Sequence, residues 1–256
     1  MRSQHPFDDW ADIYDRVYAY LTHDVPFYVQ QSLASGGPVL ELGCGTGRVS
    51  LAIAEAGFDV VGVDISPRML AAARAKADEQ GLAARCRFVH GDMRTVNLKR
   101  RFPLVIMPFR SFQSMLTVDD QRQALANAKA HLKHGGMLAL DVFAPDIPML
   151  AVDDSATFHV RDVPQRKTGH TFVVWGQNRW DHLAQTNAAR LFIEELDQDA
   201  TVMRRLHREF TVRYTFRYEM QYLLEACGFT VEVVYGGFDG GPVEENSADL
   251  VWVART

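Results

Sequence analysis

The chain has 256 residues, 47% of them apolar and 23% charged, the composition of a soluble globular fold long enough to bury a core without staples. Lys and Arg number 27 against 32 for Asp and Glu, a formal charge of -5 and a pI of about 6.0, which argues against a chain that tracks phosphate backbones by a basic footprint. No window approaches the roughly 18 apolar residues of a membrane span, and three scattered cysteines, Cys44, Cys86 and Cys227, offer neither a disulfide framework nor a zinc site.

In chain order, Met1 to Pro6 carry no apolar run of signal-peptide type, so a reducing, cytoplasmic setting is expected. Trp10, Ile13, Tyr14, Val17, Tyr18 and Leu21 then recur at helical spacing. Pro38 to Leu42, Asp59 to Val63, Arg87 to His90, Phe102 to Met107 and Met137 to Phe143 are apolar runs of strand length. The stretches between them have helix ends: Val49 to Ala56 stops at Gly57, Ser66-Pro67 opens a helix that ends at Gly81, and Thr117 with Asp120 opens one that runs to Gly135. His131 and His134 fall in its last turn, where cationic side chains suit the helix dipole. Strand and helix alternating in this way predict a doubly wound parallel sheet.

After Pro145 the helix signals stop. Thr157 to Val163, Thr171 to Gln177, Thr186 to Leu196 and Thr201 to Tyr214 predict an antiparallel β insert spanning 155–215. Arg217 to Cys227 returns to helix, and Phe229 to Tyr235 and Leu250 to Val253 supply two closing strands. The outer pieces complete one sheet, so residues 1–256 are expected to form a single α/β domain with an elaboration.

The sharpest signal is Val39-Leu40-Glu41-Leu42-Gly43-Cys44-Gly45-Thr46-Gly47. A strand runs into glycines at alternate positions, where positive φ and close ligand approach are both possible, and a helix N-terminus follows. The dinucleotide fingerprint would need glycine where the chain has Arg48. The acid Glu41 suits an ammonium group better than a pyrophosphate. Asp64 ends the next strand, where a carboxylate accepts from ribose hydroxyls. Asp92 ends the third, placed for an exocyclic amine, with Met93 for a purine face. An ammonium, a ribose and an adenine amine together describe S-adenosyl-L-methionine.

The segments Glu41–Gly47 (ELGCGTG), Val60–Ser66 (VVGVDIS), His90–Arg94 (HGDMR) and His131–Asp141 (HLKHGGMLALD) resemble those of the class I S-adenosylmethionine-dependent methyltransferases over nearly the whole chain. The look is nearest to the amino-sugar and glycine N-methyltransferases. The resemblance implies a Rossmann-like seven-stranded sheet whose last strand is antiparallel, with S-adenosyl-L-homocysteine as product. It implies a cofactor shell of Glu41, Gly43, Cys44, Gly45, Arg48, Asp64, Ile65, Met69, Asp92, Met93 and Pro108. Phe102-Pro103-Leu104-Val105 departs from the F-D-x-V pattern of many members, at a strand start where proline is tolerated.

Methyl transfer from a sulfonium is an in-line displacement that depends on alignment and exclusion of water more than on acid–base help. In this fold the segment after the fourth strand, Met107 to Gln113, faces the transferred methyl, so Phe109, Arg110 and Gln113 are candidates for orienting an acceptor. It lacks the N-P-P-Y type of motif that marks amino-methylation of DNA bases or protein amides. Tyr14 lies in a run similar to the N-terminal segment that covers the cofactor in glycine and amino-sugar N-methyltransferases, which makes it a site candidate. Trp175 and Arg213 of the insert are expected at a small organic acceptor, while His207 and Glu209 are expected on its wet face. The expected partner is a small-molecule methyl acceptor at N, O or C, in a monomer or a homodimer formed through the insert. The alternatives are a methyltransferase of RNA or protein, a non-catalytic adenosyl-ligand binder, or a nicotinamide-dependent dehydrogenase.

Overall fold

A computed structural model describes residues 6–152, 156–166 and 168–256; positions 1–5 and the expected first residue of the insert, 155, lie outside the described residues. The chain begins with a 3-10 turn at Pro6–Trp10, a single helical turn α1 (Tyr14–Val17) and a longer helix α2 (Val25–Ser35). The wound part follows as β1 (Val39–Leu42), α3 (Arg48–Glu55), β2 (Val60–Asp64), α4 (Pro67–Glu79), β3 (Cys86–His90), β4 (Phe102–Met107), α5 (Val118–His131) and β5 (Leu132–Phe143). After a short α6 (Ile147–Leu150) come five insert strands: β6 (Phe158–Gln165), β7 (His170–Gln177), β8 (Trp180–Asp181), β9 (Thr186–Leu196) and β10 (Val202–Arg213). Helix α7 (Arg217–Ala226), β11 (Thr230–Tyr235) and β12 (Asp249–Arg255) close the chain.

Local chemistry sets these ends. Ser66 Oγ accepts from Met69 N at 3.1 Å with Pro67 in the first turn of α4, and Thr117 Oγ1 accepts from Asp120 N at 3.0 Å at the start of α5. The expected continuous helix from Trp10 to Leu21 is instead a 3-10 turn followed by one helical turn. Asp8 takes the Ser66 hydroxyl, Asp15 takes Thr46 Oγ1 and Lys76 Nζ, and Trp10, Ile13 and Val17 pack on Phe172, Val174 and Ile193 of the insert. Tethers on one side and apolar anchors on the other bend the segment around the sheet. Helix α2, in a stretch for which the sequence carries no expectation, buries Phe27, Tyr28 and Ser32.

The main sheet has the order β11-β12-β5-β4-β1-β2-β3, with β12 antiparallel to both β5 and β11 and the inner pairs parallel. This is the seven-stranded, Rossmann-like arrangement expected. Alternation of side chains across the strands sends Leu40, Leu42, Val105 and Leu140 into one apolar layer with α5 and α7, and Val39, Leu104, Ile106 and Ala139 into another with α2 and α3. Glu41 and Asp141 share the α2–α3 face by the same rule. The insert forms its own antiparallel sheet, β10-β9-β7-β6, with β8 paired to β9.

Candidate functional site

A cavity of about 1320 Å³ runs from the glycine turn, over the carboxyl ends of β1, β2 and β4, to the inner face of the insert. That exceeds the roughly 300–1,000 Å³ of a pocket for one drug-sized ligand, so it has room for two. The crest of an open α/β sheet is where such ligands bind.

At the turn, Gly43, Gly45 and Gly47 have φ of +79°, +53° and +79°. A Cβ on Gly43 would stand 2.6 Å from Ser111 Cβ, so the turn is close to the loop after β4, whereas beside Gly45 there is open space on the cavity side. Asp64 is held by two backbone donors, Gly45 N to Oδ2 and Ser66 N to Oδ1, both 2.8 Å. Burial nevertheless raises its pKa, against those bonds. Glu41 is buried and takes the Ser50 hydroxyl of α3. Burial pushes its carboxyl up to about 7, although Ser50 and Arg48 pull the other way. A buried acid left in that state fits an incoming cation. Asp92 is wrapped by Arg94, which donates from its backbone at 2.8 Å and from its guanidinium, and which also reaches Asp120. Met93 lies beside it, with its Cε 3.2 Å from the position of a Gly43 Cβ.

The loop after β4 is built by a residue that the sequence reading quotes only as the end of a motif. Asp141, on β5, is buried and accepts from Tyr28 Oη (2.6 Å), Phe109 N (2.7 Å) and Arg110 N (2.9 Å). Among the described residues no group of His, Cys, Asp and Glu has the geometry to hold a metal ion, and no helix is long and apolar enough to cross a membrane.

The family model of a methyltransferase domain matches residues 39–136, the stretch that carries the turn and the three acids. The glycine/sarcosine N-methyltransferase of Aphanothece halophytica is 40% identical over 105 residues, 40% of this chain and 39% of that protein. The solved CcbJ methyltransferase from Streptomyces caelestis is 25% identical and superposes with a TM-score of 0.83 over 98% of this chain and 97% of its own. The SAM-bound amino pentose methyltransferase CalS10 from Micromonospora echinaspora shares the fold at 24% identity, with a TM-score of 0.66 over 99% and 92% of the two chains. Residues 39–136 are an S-adenosylmethionine-dependent methyltransferase domain.

All the expected site residues of this methyltransferase except Trp175 and Arg213 line the cavity. Ile65, Met69 and Cys44 close its floor beside Asp64, and Pro108 and Phe109 its wall after β4. Arg48, expected in the cofactor shell, spends its guanidinium on Asp24 (2.5 and 2.6 Å) and the Leu21 carbonyl, clamping α3 to the start of α2. Tyr14 is half-buried at the cavity edge; desolvation first, then neighbouring Tyr18, raises its pKa well above the usual phenol value. Tyr18, missed as a site residue, packs between Tyr14 (4.8 Å) and Phe109 (5.3 Å), and burial raises it likewise.

Four expectations need correction. Gln113 is wholly buried with both amide atoms committed: Nε2 donates to Arg213 O and Oε1 accepts from Phe143 N, so it braces the loop and has no reach to an acceptor. Arg213 does not face the cavity; its guanidinium holds the turn before β9 through Ala184 O and Gln185 Oε1. Trp175 follows cavity-lining Val174 by one position and so points out of the other face, where its indole donates to Glu194 at 3.1 Å. Trp180 stands at the wall in its place. Finally, His131 is not a solvated side chain at a helix end: it is buried, with Leu98 N donating to its Nε2 at 3.1 Å and its Nδ1 2.8 Å from Asn127 O. Arg110 lines the cavity, with its guanidinium 2.7 Å from Asp249. His207 is exposed as expected; Glu209 is exposed too but borders the cavity.

Proposed function

We propose that this enzyme transfers the methyl group of S-adenosylmethionine to a nitrogen of a small molecule seated against the insert. One observation carries the reading: a single cavity joins the acid-flanked glycine turn to an apolar wall made by Phe158, Val160, Val174, Trp180, Ala189 and Val212. The bound cofactor supplies an activated methyl on a sulfonium with a neutral leaving group. On this reading Glu41 receives the ammonium of its methionine part, and Asp64, its two oxygens already oriented by Gly45 N and Ser66 N, receives the ribose hydroxyls. Met93 packs on adenine, and Asp92 serves its amine while paired with Arg94.

Tyr14 and Tyr18 stay protonated at neutral pH because burial raises both. They orient by hydrogen bonding and do not remove protons, so the acceptor must arrive with a free lone pair. An amine or ring nitrogen of low basicity, unprotonated at neutral pH and attached to an apolar body, meets both conditions, the neutral phenols and the apolar wall. The glycine/sarcosine N-methyltransferase among the similar proteins supports nitrogen as the target.

The test is calorimetry and label transfer together. S-adenosylhomocysteine should bind in the micromolar range and NAD should not. Tritium from labelled S-adenosylmethionine should enter small amines with an apolar body. Label that enters only bulk RNA or protein overturns the acceptor class, and absence of S-adenosylhomocysteine binding overturns the cofactor site.

A further inference from the structure

We propose that Asp141 is a positioning residue: by holding Phe109 and Arg110 in left-handed backbone, it fixes the cavity wall between the glycine turn and the insert. The inference rests on the functional reading above for the importance of that wall. Its physical basis does not.

Phe109 and Arg110 have φ of +52° and +60°. Two bulky residues in succession persist there only when the surroundings over-determine them. Asp141 supplies that determination. Its Oδ1 accepts from Phe109 N and its Oδ2 from Arg110 N, so consecutive amides converge on one carboxylate in the manner of an anion nest. Tyr28, brought by α2 from 113 positions away, donates to Oδ1 and locks the carboxylate rotamer.

The turn is also fixed beyond its second residue. Ser111 Oγ donates to Leu42 O at 3.1 Å against the bare Gly43, and Gln113 bridges to β5 and β10. Between these anchors the two side chains are fanned apart. Phe109 lies against Tyr18 and under the Arg48 guanidinium, while Arg110 swings to Asp249 and the Phe143 ring. An asparagine at 141 has one acceptor oxygen for two amides and sets its own N–H₂ against the second. The turn would then return to ordinary φ, and the Phe109 ring would leave Tyr18.

The same carboxylate senses pH. Burial pushes Asp141 up to about 7; Tyr28 and Arg110 pull it down, while Asp249 from β12 and Asp24 at the start of α2 push it further up. Protonation removes a lone pair from the nest, so both amides should respond together.

The experiment is amide NMR of the full chain, with calorimetry of S-adenosylhomocysteine alongside. In the wild type, the Phe109 and Arg110 amide protons should lie downfield and titrate with one shared midpoint near pH 7, and the Phe109 and Tyr18 rings should show mutual contact. In Asp141→Asn both amides should move upfield, lose the titration and lose the ring contact. In Tyr28→Phe, which keeps the ring in place, the shared midpoint should rise because a donor to the carboxylate is gone. Amides indifferent to Asp141→Asn, or a midpoint unmoved in Tyr28→Phe, overturn the proposal, and the second variant decides if the first does not fold. Failure of the wild type to bind S-adenosylhomocysteine overturns the functional reading instead and leaves the amide result standing.

Discussion

Glu41 and Asp64 sit on neighbouring strands at the same crest, and burial raises both carboxyls. For Glu41, pushed up to about 7, the ligand-free protein holds a proton below neutrality. On the proposed reading an ammonium selects the charged carboxylate, so binding must expel that proton. S-adenosylhomocysteine affinity should therefore weaken by up to about tenfold per pH unit below pH ~7. Glu41→Gln should flatten the profile, as read by calorimetry in buffers of different ionisation enthalpy. Asp64→Ala should cost about 1–3 kcal/mol of S-adenosylhomocysteine binding, the usual penalty for an unpaired polar contact, because Gly45 N and Ser66 N lose their acceptor along with the ribose. An unchanged affinity in that variant would place the sugar elsewhere.

At the scale of elements, the glycine turn and the loop after β4 form one unit. Gly43 has φ of +79°, and a side chain there would collide with Ser111 at 2.6 Å. Gly43→Ala should cost more than about 1 kcal/mol of unfolding free energy in a denaturant titration and should weaken S-adenosylhomocysteine binding as well. A purely local effect would leave binding intact. The insert follows similar logic: β7 alternates, so Val174 faces the cavity and Trp175 cannot. The N-terminal segment is an element only by virtue of its partners. Asp8 and Asp15 tie it to Ser66 and Thr46, residues that flank Asp64 and the glycine turn.

The molecule as a whole carries two buried acids, Glu41 and Asp141, raised by burial to about 7. A carboxyl whose folded pKa exceeds its unfolded value binds more protons in the native state, so its stabilisation is present at low pH and is lost as pH rises. The ligand-free Tm should therefore fall between about pH 5 and pH 8. S-adenosylhomocysteine should reduce the fall by favouring the charged Glu41, and Asp141→Asn should remove part of it. At the acid end the sign reverses. Arg94 holds Asp120, and His170 with Arg204 holds Glu195, below their ordinary values, so protonating these groups costs stability as pH drops through the carboxylate range. A Tm that rises steadily through neutrality would contradict the burial of both acids.

The sequence by itself determined whatever rests on short-range chemistry. The caps at Ser66 and Thr117, the glycine turn with Glu41 and Asp64, and the strand periods are each set by residues a few positions apart, and they gave the wound sheet, its antiparallel insert and the cofactor class. Only the tertiary structure decided which polar side chains remain available. Gln113, Arg213 and Arg48 have the chemistry of site residues, but packing commits them to partners 24 to 100 positions away. Asp141 and Tyr28, 113 positions apart, become a functional pair only when α2 lies across β5. A buried polar group must find its hydrogen bonds wherever the fold brings them, and no local pattern records where that is.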